Sequence, residues 1–154
     1  MKKFVPVSLF AILALFVAQF AFSHCEIPCG IYDDEARFNQ IAEDITTVEK
    51  SMNQINELSQ AGDKNYNQIV RWVVNKDDHA QKIQDTVAQY FLAQRIKPVD
   101  GADADGKMTY YKKLELCHNM IVQAMKAKQT TDLEHVKQLN SLLENFREVY
   151  FEKK

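Results

Sequence analysis

One histidine and two cysteines fall within six residues, His24-Cys25-Glu26-Ile27-Pro28-Cys29, with Gly30 and Tyr32 close behind. An imidazole and two thiolates, with backbone amides between them, form a mixed nitrogen and sulfur donor set that suits a borderline or soft transition metal. If His24 leads the mature chain, its α-amine joins the set. Amine, amide nitrogen and two thiolates in one plane favour Ni(II) or Cu(II), whereas zinc prefers a tetrahedron. Anionic thiolate and amide donors also bring a higher oxidation state within reach, which one-electron chemistry on nickel requires. Spacing alone leaves another outcome open, a Cys25–Cys29 disulfide with Cys117 buried and free. A structural leader needs only polar residues here, so the cluster calls for a chemical explanation.

The residues upstream bear on that amine. Lys2 and Lys3 precede an apolar run from Phe4 to Phe22, broken only by Pro6, Ser8 and Gln19, and Ala21-Phe22-Ser23 puts small residues at the −3 and −1 positions of a signal-peptidase site. This predicts a cleaved signal peptide over 1–23, His24 as the new N-terminus, and an extracytoplasmic protein, periplasmic or secreted. The rival is an uncleaved anchor, because the run is nearly long enough to span a bilayer; the small-x-small site and the missing stop-transfer flank favour cleavage, and no membrane partner afterwards. Cleavage leaves 17 basic against 21 acidic residues. With no basic stripe either, nucleic acid is excluded as a partner. Three cysteines are an odd count for an oxidising compartment, so a disulfide framework does not account for them.

The rest of the chain must position the cluster, and it reads as helices. Phe38, Ile41, Ile45, Val48, Met52 and Ile55 recur at steps of three and four, with Asp33 and Asp34 ahead of them to cap the first helix. Ala61-Gly62-Asp63 ends it. A second face runs Tyr66, Ile69, Val73, Ala80, Ile83, Val87, Phe91 and stops at Lys97-Pro98; the Gly- and Asp-rich residues 99–107 form an exposed loop. Tyr110, Leu114, Cys117, Ile121 and Ala124 give a third seam. The fourth opens on Thr131-Asp132-Leu133-Glu134, which has capping-box spacing, and continues through Val136, Leu139, Leu143, Phe146 and Tyr150. With no β-alternation and few Gly or Pro, this predicts an all-α fold: an antiparallel up-down four-helix bundle over 33–154, behind a metal-binding hook over 24–32.

The hook resembles a known family. His24-Cys25-x-x-Pro28-Cys29-Gly30-x-Tyr32 is similar to the nickel-hook signature of nickel superoxide dismutases at every defining position, directly after a cleavage site. Weaker similarity extends over the mature chain, through Arg37, Tyr90-Phe91, Lys97-Pro98 and the stretch from Tyr111 to Met120. The resemblance implies a four-helix bundle, a homohexamer, and one nickel ion per subunit. It implies that His24 supplies an equatorial amine and an axial imidazole, Cys25 an amide nitrogen and a thiolate, and Cys29 the second thiolate. Pro28 would fix the turn, and Tyr32 would act as the catalytic side chain over the open face of the metal, ordering water or anion. The implied reaction converts superoxide to dioxygen and hydrogen peroxide by cycling between Ni(II) and Ni(III). Two positions depart from the pattern. Glu26 replaces a common Asp and keeps the charge. Where the family steadies the axial imidazole with a carboxylate and an arginine, this chain offers Asn39 and His79, so a different set of outer contacts is expected.

Other signals weigh less. With Gly106 as the sixth position of a calcium loop, Gly101 and Lys112 would fall at the first and twelfth, where carboxylates are needed. Leu116-Cys117-His118 lacks the first cysteine of a haem motif, and Cys117 on an apolar seam is expected to be buried and inert. His118 and His135 are expected in solvent, and Tyr150-Phe151 is a candidate subunit contact. Two rivals to the enzyme remain: an exported helical module that binds copper or nickel without catalysis, and a metal-free bundle closed by a Cys25–Cys29 disulfide. Bound nickel with activity separates the first rival, and thiol content the second.

Overall fold

The computed structural model describes residues 28–99, 101 and 103–152. The predicted signal peptide, His24, Cys25 and Glu26 lie outside them. The chain divides into two units, residues 1–30 and 31–154, and the second is built from helices alone among the described residues. They are α1, Asp34–Gln60; α2, Tyr66–Asp85, which continues as a π-helical segment, Thr86–Arg95; α3, Ala104–Gln129; and α4, Glu134–Phe151. Each helix packs on the next and α4 closes against α1, which makes the expected four-helix bundle. Short links force neighbours to run antiparallel. Among the described residues no helix is long and apolar enough to cross a membrane.

Local chemistry sets the helix ends. The Asp33 carboxylate accepts a bond from the Ala36 amide at 3.0 Å and caps α1, as its position in the sequence suggested. Asn65 caps α2 through the Gln68 amide at 3.2 Å, and Asp103 caps α3 through the Gly106 amide at 2.8 Å. The fourth cap differs from the expected box. Asp132 accepts from the Glu134 amide at 2.9 Å, and the Thr130 hydroxyl accepts from the Asp132 amide at 3.1 Å. A side chain two residues ahead thus serves the first donors of α4, and Thr131 and Glu134 are not needed for it.

The α1 seam is buried at every predicted position from Phe38 to Ile55. Around Phe38 the core is aromatic, with ring centroids of Phe91 at 5.0 Å, Phe146 at 5.1 Å and Tyr150 at 5.4 Å. The predicted α2 face is buried only in its second half. Of that face Tyr66 is 69% and Val73 37% exposed, and Val70 and Val74 beside it are 60% and 53% exposed. Between them and Ala80, the inward position is taken by a lysine. Lys76 is buried, and its ammonium donates to the carbonyls of Ala127 and Lys128 at 2.7 and 2.6 Å, with Asp77 at 3.0 Å. It caps the C-terminal turn of α3, where the helix dipole favours a cation. Lys76→Met keeps the stem but strands two carbonyls. Unsatisfied buried acceptors cost about 1–3 kcal/mol each, so with two stranded urea denaturation is expected to show a loss of about 2–6 kcal/mol with the fold retained.

The second half of α2 was expected to stay α-helical to its end. Instead it widens: the Ile96 amide bonds the Phe91 carbonyl at 2.8 Å, and the Gln94 side-chain amide bonds the Gln89 carbonyl at 2.9 Å, both five residues back. In an α-helix, residues five apart point about 140° away from each other. Winding with i→i+5 bonds returns them toward one face. Tyr90 and Arg95 are such a pair, and both reach the N-terminus of α1.

Candidate functional site

In the first unit the described residues form a turn. Pro28 is half-buried, Cys29 is exposed, and Gly30 has φ +79°. That left-handed backbone is one a side chain rarely adopts, so glycine is required to turn the chain directly after the cysteine. Cys29 therefore sits at the surface on a tight turn, where a thiolate is reachable by a metal. His24, Cys25 and Glu26 lie outside the described residues, and the described ones alone contain no group of three metal-binding side chains. The donors that a nickel ion needs fit by chemistry: thiolate sulfur from Cys29 joined to the nitrogen and sulfur donors that the sequence supplies just ahead of it.

In the second unit, Tyr32 precedes α1 and is 38% exposed. The Arg95 guanidinium lies over its ring, 4.3 Å from the centroid, and Tyr90 meets it edge-on at 5.9 Å. Arg95 is itself held by Asp34, with Nε to Oδ1 at 2.7 Å and Nη2 to Oδ2 at 2.6 Å. The same carboxylate accepts from the Tyr90 hydroxyl at 2.6 Å and the Tyr150 hydroxyl at 2.8 Å. Four donors from α2 and α4 thus converge on one residue in the first turn of α1, where the helix dipole favours a negative charge. A planar guanidinium matched by a two-oxygen acceptor is fixed in orientation as well as position.

Burial works against the Asp34 charge, but hydrogen bonds from Arg95, Tyr90 and Tyr150 outweigh it and hold the carboxyl below its ordinary value. Burial first, and then the bond to Asp34, pushes the Tyr150 phenol up to about 12, and the same causes push Tyr90 upward. The signs fix a pH window. Asp34 is depressed in the folded state, so its contribution is fully present above the ordinary value of 3.8 and is lost as pH falls through the lower folded one. The phenols are raised, so theirs is present below the ordinary value of 10.0 and is lost as pH rises beyond it. The melting temperature of Asp34→Asn is expected to lie below that of the parent at neutral pH, with the gap closing below pH 3.8. A gap that persists there would contradict the assignment.

The two predicted outer contacts have separate partners. Asn39 accepts a bond from Arg147 at 3.1 Å, and Arg147 also pairs with Glu35. His79 Nδ1 lies 2.6 Å from a carboxylate oxygen of buried Asp44. The sequence carries no local signal for the Asp34–Arg95 pair, since Asp34 reads as a capping residue and Arg95 lies 61 residues away. Cys117 is buried as expected, and burial pushes its thiol up to about 12. His118 is exposed as expected, but His135 bonds Gln123 at 2.9 Å. Tyr150, read as a subunit contact, is used within the chain. Beside this cluster is a cavity of about 150 Å³, lined by Arg95, Lys97, Lys113, Tyr110 and Tyr150.

Among the described residues, an all-α bundle thus follows an exposed cysteine that stands on a glycine-closed turn. Comparison with protein families makes this specific: the family described as nickel-containing superoxide dismutase matches residues 19–154. The chain belongs to that family. It is an enzyme, a superoxide dismutase, and nickel is its cofactor. No curated protein and no solved structure matches it.

Proposed function

We propose that the mature protein begins at His24 and dismutates superoxide outside the cytoplasm. His24 holds the metal through its amine and imidazole, Cys25 through its amide nitrogen and thiolate, and Cys29 through its thiolate. Nickel bound there supplies one-electron chemistry, Ni(II) to Ni(III) and back, as two superoxide ions and two protons become dioxygen and hydrogen peroxide. The observation that carries this reading is the run from His24 to Tyr32, lying within the family match, with Cys29 exposed on a turn that Gly30 closes.

Tyr32 is the proton-handling side chain. Its phenol orders water or a small anion, with a fixed cation beside its ring. Glu26 keeps the hook acidic, and Pro28 shapes the turn. Asn39 and His79 are proposed as the outer contacts that differ from the family pattern. Assembly as a homohexamer completes the reading, supported by the family and by the exposed apolar residues Tyr66, Val70 and Val74 on α2.

The test is mass mapping of the N-terminus together with metal analysis, on protein purified from its own cells. A chain starting at His24 with about one nickel per subunit is expected. A retained leader, or a start beyond His24, would rule out the amine ligand and this reading with it.

A further inference from the structure

We infer that Arg95 is a positioning residue for Tyr32, with Asp34 as its anchor. The inference rests on the proposed role of Tyr32 for its catalytic meaning, but its geometry stands apart from that role. Tyr32 lies outside the helices and is 38% exposed; a phenol there has little apolar packing to fix it. What meets it is the guanidinium face of Arg95 at 4.3 Å and the edge of Tyr90 at 5.9 Å. Neither support is free to move. The two Arg95–Asp34 bonds fix the guanidinium plane, and the Tyr90 hydroxyl bonds the same carboxylate. Asp34 and Arg95 have side chains only 17% and 28% exposed, so water competes weakly for these bonds. Tyr150 adds a bond from α4.

The π-helical segment makes the arrangement possible, since it lets Tyr90 and Arg95, five residues apart, share one acceptor. The geometry thus gives the segment a purpose: it delivers a flat, positively charged plate to the tyrosine that follows the hook in sequence. Lysine could not do this. It carries a point charge with no planar fork to bind both carboxylate oxygens and stack at once.

The test places 3-fluorotyrosine at position 32 of the nickel-loaded protein and records its fluorine resonance alongside kcat/KM. In Arg95→Met the resonance is expected to move to that of a solvent-exposed fluorotyrosine. The rate constant should fall on the order of tenfold, in keeping with the cost of misplacing a reacting group. Arg95→Lys should recover little of either. An unmoved resonance in Arg95→Met would overturn the inference, and so would full recovery in Arg95→Lys, which would reduce Arg95 to a charge. If Arg95→Met fails to fold, the double variant Asp34→Asn/Arg95→Met removes the unpaired carboxylate and gives the same readout. A shifted resonance combined with full activity in Tyr32→Phe would support the positioning of Tyr32 and refute its proposed part in the reaction.

Discussion

Cys29→Ser is expected to lose its nickel and its dismutase activity together while the bundle stays folded. Serine is nearly isosteric, but its hydroxyl stays protonated near neutral pH and is a hard donor, poorly matched to nickel in a planar sulfur and nitrogen site. Changes to residues that only contact metal ligands already cost about 10–100-fold in metal affinity. Removal of a ligand should therefore exceed about a hundredfold. The fold should not notice, because Cys29 is exposed on a turn in the unit separate from the bundle. Nickel content by mass spectrometry, superoxide decay and far-ultraviolet circular dichroism on one preparation check all three parts. Cys117→Ala supplies the contrast. Its thiol is buried and pushed up to about 12, so nickel and activity should remain. Loss of nickel from that variant, or its retention by Cys29→Ser, would contradict the ligand assignment.

Phe38→Ala should produce the largest loss of stability. Phe38 is fully buried, and besides Phe91, Phe146 and Tyr150 its ring meets Phe151 at 5.3 Å. Truncating a core phenylalanine costs about 3–5 kcal/mol through lost burial and the cavity left behind. A domain of this size is stable by only about 5–15 kcal/mol, so the variant should lose a large share of its stability. The packing also ties the core to the site. Tyr150 rests on Phe38 at 5.4 Å and bonds Asp34, so loosening Phe38 should also weaken the hold on Arg95. Urea denaturation measures the first effect. A loss below about 1 kcal/mol would mean that the aromatic cluster collapses onto the gap without penalty.

The bundle was legible because its signal is local. Phe38 to Ile55 repeat at helical spacing, and every one of them is buried. Where the sequence misled, the deciding contact was distant. Tyr66 and Val73 continue the α2 repeat, but they are 69% and 37% exposed among the described residues, and periodicity cannot report what lies opposite. Lys76 occupies a core position because carbonyls 51 and 52 residues away need a donor. Nothing near Lys76 in the sequence announces this. The widening of α2 escaped notice for a similar reason. Tyr90 and Arg95 make sense together only through Asp34, 61 residues before Arg95, and local patterning assumes an α-helical turn. The candidate metal ligands were legible for the opposite reason: they are contiguous, so no folding is needed to bring their chemistry to attention.

The decisive measurement follows superoxide decay in a stopped-flow spectrometer, using protein that begins at His24 and is fully loaded with nickel. Decay should be first order in protein and much faster than spontaneous dismutation. It should vanish when a chelator strips the metal, and return with nickel but not with zinc or copper. Decay at the spontaneous rate, with one nickel bound to every subunit, would mean that the hook binds nickel without catalysing dismutation.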